Sequence, residues 1–132
     1  MLARGTFEIT MQGEPPYDEV AGVTLGRAQF DKQFTGDLVA SSRVHMLAAR
    51  TTVENSAGYV ALERIVGTLD GKHGSYVVMH TGLMTRGERS LTITIVPDSG
   101  TGALVGIGGT MDIQIVEGKH HYTVDFTLPD AG

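Results

Sequence analysis

Val96-Pro97-Asp98-Ser99-Gly100-Thr101-Gly102-Ala103-Leu104-Val105-Gly106-Ile107-Gly108-Gly109 joins two segments that alternate apolar and polar residues. Before it, Ser90–Val96 sets Leu91, Ile93 and Ile95 against Thr92 and Thr94. After it, Thr110–Val116 sets Met111, Ile113 and Ile115 against Asp112 and Gln114. A period of two marks a half-buried strand. Glycines in the connection reach positive φ and let the backbone pass close to another segment. The stretch therefore reads as a bend in a closed sheet. It does not read as a phosphate loop. The spacing Gly100-x-Gly102-x-x-x-Gly106 differs from the dinucleotide fingerprint, and no helix follows to offer its N-terminus to a phosphate.

The same grammar extends in both directions. Gly5–Met11 alternates, and Gly13-Glu14-Pro15-Pro16-Tyr17-Asp18 breaks it, because proline donates no ladder hydrogen bond. Leu25–Phe34 places Ala28, Phe30 and Phe34 on one face. Lys32 interrupts that face and is read as a strand edge or a bulge. Leu38–Arg50 is rich enough in Ala, Leu and Met for a helix, but Val39, Val44 and the following Thr51, Thr52 and Val53 favour a strand. Tyr59–Leu69 and Ser75–Thr81 flank Asp70-Gly71-Lys72-His73-Gly74, a hairpin signal. Glu117-Gly118-Lys119 turns the chain into Tyr122–Leu128, and Pro129–Gly132 reads as a frayed end. About eight short strands on short turns predict an all-β fold. The expectation is a closed antiparallel β-barrel, up-and-down, wide enough for packed side chains or one small ligand.

Size and composition agree. The chain of 132 residues is expected to form a single β-barrel domain spanning 1–132. Its 18 glycines suit many tight turns. It has no cysteine, which excludes disulfides and thiol chemistry and favours a cytoplasmic home. No signal peptide or membrane-length apolar run is visible. A net charge of −5 argues against nucleic acid as a partner, since phosphate binding needs clustered Lys and Arg.

Gly100-Thr101-Gly102-Ala103-Leu104-x-Gly106-x-x-Gly109 is similar to the Gly-Thr-Gly-x-Phe-x-Gly-x-x-Gly pattern of allene-oxide-cyclase-type barrels and dirigent proteins. More of the chain resembles an uncharacterised bacterial family of small barrels in that superfamily. The segments that carry this are Gly5-Thr6-Phe7, Pro16-Tyr17-Asp18, Phe34-Thr35-Gly36, Leu62-Glu63-Arg64-x-x-Gly67, Gly71-x-x-Gly74-Ser75-Tyr76 and His80-x-Gly82. The resemblance implies a closed antiparallel barrel, often a homodimer. In the wider superfamily such barrels bind apolar small molecules, and some steer cyclisations. No catalytic residue of those enzymes matches a position here, and a shared fold does not license a shared reaction.

The pleat nominates a site. Tyr59, Ala61, Glu63 and Ile65 share one face, and Tyr76, Val78 and His80 share a face of the next strand. Across the Asp-Gly hairpin, Glu63 falls opposite or diagonal to His80. If that face is the lumen, the two form a catalytic acid–base pair. A hydrogen-bonded pair that merely fixes register, or two surface residues, is the plainer alternative. Tyr59, Tyr76, Met46, Met111 and Phe126 are candidates to line an apolar pocket, or simply core. Arg64 and Arg43 could meet an acidic group inside the barrel, although a strand arginine is usually exterior. Glu117-x-x-His120-His121 with His45 invites a metal reading, but adjacent strand histidines point to opposite faces, so no metal or other cofactor is expected. No Gly-x-Ser-x-Gly elbow occurs.

Three functions fit. The first is a binding module that holds an apolar or amphipathic ligand in its lumen. The second is a cofactor-independent isomerase or cyclase that uses Glu63 and His80. The third is a structural dimer with a filled lumen, its outward Val77 and Met79 covered by the partner copy.

Overall fold

The computed structural model describes residues 1–129, so the expected fraying of 130–132 lies outside the described residues. Nine strands follow in chain order: β1 (Leu2–Gly13), β2 (Asp18–Val20), β3 (Val23–Gly36), β4 (Leu38–Arg50), β5 (Ala57–Leu69), β6 (Lys72–Thr85), β7 (Glu88–Ile95), β8 (Gly108–Val116) and β9 (Lys119–Thr127). All pairings are antiparallel, in the order β1-β9-β8-β7-β6-β5-β4-β3-β2, and β1 also pairs with β3 from Gly5↔Gly36 to Gly13↔Ala28. That last ladder closes an eight-stranded barrel and leaves β2 as a short flap on the β3 edge. Closure removes the sheet edges that an open sheet of this length would expose. Leu38–Arg50 is a strand throughout, paired along its length to both β3 and β5.

The alternation read from sequence sorts inside from outside. Along β4, Leu38, Ala40, Ser42 and Val44 are buried while Val39, Ser41, Arg43 and His45 are exposed. The two ends of the barrel differ. At one end Phe34, Leu38, Leu69, Tyr76, Val124 and Phe126 fill the interior. The Tyr122 hydroxyl stitches that end, accepting from the Leu38 N–H (2.9 Å) and donating to the Thr35 carbonyl (2.8 Å).

The glycine-rich segment completes the seal. It leaves β7 and continues beside β6: the Val96 N–H donates to the Val77 carbonyl (2.8 Å) and the Thr101 N–H to the Ser75 carbonyl (2.8 Å). One turn of 3-10 helix, Gly102–Leu104, then drops Leu104 into the core, and Ile107 follows it. Gly102 (φ 60°) and Gly106 (φ 83°) occupy the left-handed region, as the sequence reading expected. The bend is longer than a hairpin turn, however, and β7 and β8 meet only at Ile93↔Met111 and Thr94↔Thr110. Beyond those two pairs the wall thins toward the opposite end, the mouth.

Candidate functional site

Four consecutive strands each send one polar side chain into the barrel: Lys32 from β3, Ser42 from β4, Glu63 from β5 and His80 from β6. Lys32 lies directly opposite Ser42, and Glu63 is one diagonal step from both Ser42 and His80. Diagonal neighbours lie within reach of long side chains. Glu63 is the hub. Its Oε1 accepts from His80 Nε2 (2.8 Å) and Lys32 Nζ (3.2 Å), and its Oε2 accepts from Ser42 Oγ (2.5 Å).

Burial alone would raise the Glu63 carboxyl, since a charge in low dielectric is disfavoured. The His80 hydrogen bond, the Lys32 ammonium and the Ser42 hydroxyl outweigh it and hold the group below its ordinary value. Glu63 is therefore an ionised carboxylate with no exposure at all. The ammonium is held on a second side by aromatic faces, 4.6 Å from the Phe7 centroid and 5.9 Å from Phe34.

Above this cluster lies a cavity of about 300 Å3 lined by Lys32 and His80 at its base and by Phe30, Val44, Met46 and Leu91 among its walls. A second cavity of about 340 Å3 adjoins it at the mouth, sharing Met46, Tyr59 and Leu91 and adding Arg50 and Arg89. The Tyr59 ring lies across Gly82, where any side chain would strike it. Burial first and the Glu63 charge second raise the Tyr59 phenol, so it stays neutral.

The sequence candidates separate into three groups. Glu63, His80, Tyr59 and Met46 converge on the cavity and its base. Tyr76, Met111 and Phe126 face inward but sit in the filled half as core, outside the cavity lining. The Tyr76 hydroxyl is buried without a partner among the described residues, and its phenol is pushed far up by burial and then by Glu63. Arg64 does not reach the lumen: it occupies an outward position of β5, because the residues on either side of it, Glu63 and Ile65, point in. Arg43 is outside too, paired with Asp31 at 3.0 Å. His120 packs on Phe7 (5.1 Å between centroids), and among the described residues no three His, Asp or Glu side chains converge as metal ligands.

Lys32 corrects the sequence reading most. It is neither an edge nor a bulge, since β3 pairs without interruption through it to Ile9 on one side and Ser42 on the other. Its place on the apolar face was the available signal. Ser42 carried a fainter one, as the polar member of Leu38-Ala40-Ser42-Val44.

A family model described as a protein of unknown function, DUF3224, matches residues 3–126, nearly the whole barrel. The chain belongs to the DUF3224 family. A crystal structure of a DUF3224 protein of unknown function from Shewanella oneidensis MR-1 is 44% identical, with a TM-score of 0.92 over 98% of each chain. No curated protein matches this chain. The family model shows membership of DUF3224 and the crystal structure shows a shared fold, and neither comparison supplies an activity. Among the described residues no helix of this DUF3224 chain is long and apolar enough to cross a membrane.

Proposed function

We propose that this barrel binds one small amphipathic molecule in its lumen, a polar end seated on Lys32 and His80 and an apolar body against Phe30, Val44, Met46 and Leu91. The observation that carries the reading is a charged cluster at the base of a cavity whose other lining residues are apolar apart from Tyr59 and His120. Ligand pockets have this make-up, apolar walls with a few placed polar groups. A chain that needed only a core would gain as much from apolar residues, because a buried ion pair seldom stabilises more than they do. Arg50 and Arg89 at the mouth suit a second polar end. The glycine pattern and the closed barrel support kinship with allene-oxide-cyclase-type barrels, whose lumens hold apolar ligands.

Native mass spectrometry of the purified protein, followed by methyl NMR with the displaced compound, tests this. The expected result is a bound small molecule that shifts the Met46 methyl and leaves the outer Met79 methyl in place. Compounds that perturb only Met79 would overturn it.

The reading includes a second copy as partner. Leu47 pairs with Val60 and Leu62 with Met79 on the outer wall, and all four are about half exposed, beside an outer groove of about 580 Å3. Contiguous apolar surface of this kind favours association. Sedimentation should show a dimer that Leu62→Glu converts to monomer; a wild-type monomer at high concentration refutes this part.

A further inference from the structure

We infer that the cavity is built for proton transfer on an apolar carbonyl compound, with His80 as the base and Lys32 holding the carbonyl oxygen. This rests on the lumen-binding reading and assigns its ligand a chemical class.

The donor and acceptor count fixes the roles. An ionised carboxylate only accepts hydrogen bonds, and an ammonium only donates. Glu63 Oε1 receives both Lys32 Nζ and His80 Nε2, so Nε2 carries a hydrogen. In the neutral imidazole the lone pair then belongs to Nδ1, which has no hydrogen-bond partner among the described residues. His80 lines the cavity and Glu63 does not. The carboxylate read from sequence as half of an acid–base pair is therefore a positioning residue. It orients the ring, fixes the tautomer and stabilises the imidazolium that forms, from 2.8 Å away.

Lys32 supplies the other half. One ammonium hydrogen serves Glu63 and the Phe7 face takes another side, while the side chain still lines the cavity. An oxygen seated there meets a fixed positive charge in a largely apolar enclosure, where such a charge acts more strongly than in water. The step needs no co-reactant. His80 Nδ1 takes a proton from the carbon next to the carbonyl, that C–H pair becomes a carbon–carbon double bond, and the carbonyl π pair moves onto the oxygen held by Lys32. The proton on His80 exchanges with solvent, and His80 then delivers one back, either to the original carbon or, in a β,γ-unsaturated ketone, to the γ carbon, which shifts the double bond into conjugation.

Cyclohex-3-en-1-one in deuterated buffer is the probe. Its conversion to the conjugated ketone is followed by ultraviolet absorbance, deuterium uptake by mass spectrometry and binding by saturation-transfer NMR. The wild-type protein should bind the probe and accelerate both reactions saturably. His80→Gln should still bind it and lose about 100-fold or more in rate, the usual contribution of a general base. Glu63→Gln should lower the rate and move the pH–rate profile to lower pH, which a purely structural role would not do. Met46→Trp, which fills the cavity from its apolar wall and leaves the cluster intact, should abolish binding and turnover together. Probe bound in the cavity but turned over equally by wild type and His80→Gln would overturn the proton-transfer assignment and leave the binding reading standing. No bound probe would remove both.

Discussion

At the scale of single residues, Lys32 shows what alternation can and cannot reveal. The pleat placed it inward, correctly, yet an isolated buried ammonium is so costly that an edge was the better reading. What makes burial tolerable is Glu63, which reaches it only after three strands register side by side. Pairwise hairpin logic found Glu63 near His80, because one tight turn fixes that register. It could not find the third and fourth partners. Removing one member of such a pair leaves the other charged and uncompensated. Lys32→Met is expected to destabilise the fold by about 3–5 kcal/mol in urea titration, while Lys32→Met with Glu63→Leu recovers most of that loss. Ser42→Ala, which deletes a hydrogen bond to a charged group, should cost about 1.5–3 kcal/mol. A wild-type midpoint in either single variant would mean that the cluster carries no strong pairing.

At the scale of elements, the strand pattern was legible wherever apolar and polar residues alternate over five or more positions. β2 was not, because three exposed residues after two prolines give no period; its one cue was the Ala21-Gly22 pair, whose positive φ values (51° and 82°) make the tight turn. The glycine-rich connection was recognised as a close approach, but its target was hidden. That target is Gly74, where a Cβ would drive into the Thr101 carbonyl. Gly74→Ala must push the segment off β6, straining the Ser75–Thr101 bonds, at a cost of about 1–3 kcal/mol as for other overpacked sites. Leu104→Ala should cost about 2–5 kcal/mol through the void it leaves at the sealed end. Hydrogen exchange at the Thr101 amide separates the two: it should accelerate strongly in Gly74→Ala, and unchanged protection would mean the segment docks some other way.

At the scale of the whole molecule, the buried ionisable groups set where the fold is stable. Glu63 has a folded pKa below its ordinary value of 4.5, so its contribution is present above that value and disappears as pH falls through the lower, folded one. The tyrosines act at the other limit. Tyr59, Tyr76 and Tyr122 are raised above 10.0, so their neutral forms favour the fold below that pH and the advantage is lost as pH climbs past it. Thermal melts should therefore decline on both the acid and the alkaline side. Glu63→Gln should flatten the acid decline and soften the alkaline one only in part, because burial is the first cause of the raised Tyr59 and Tyr76 phenols and the Glu63 charge the second; an unchanged acid limb would show that other carboxylates govern it.

One end plugged by Leu104 and Ile107, the other open beside Tyr59 and Leu91, makes this interior a cup and not a pipe. A guest bound as proposed would come in head first and back out the same way. The depth between the rim arginines and the Lys32 floor then works as a ruler: a homologous series of chain lengths should show affinity climbing with each added carbon until the tail reaches bulk water, and levelling off there.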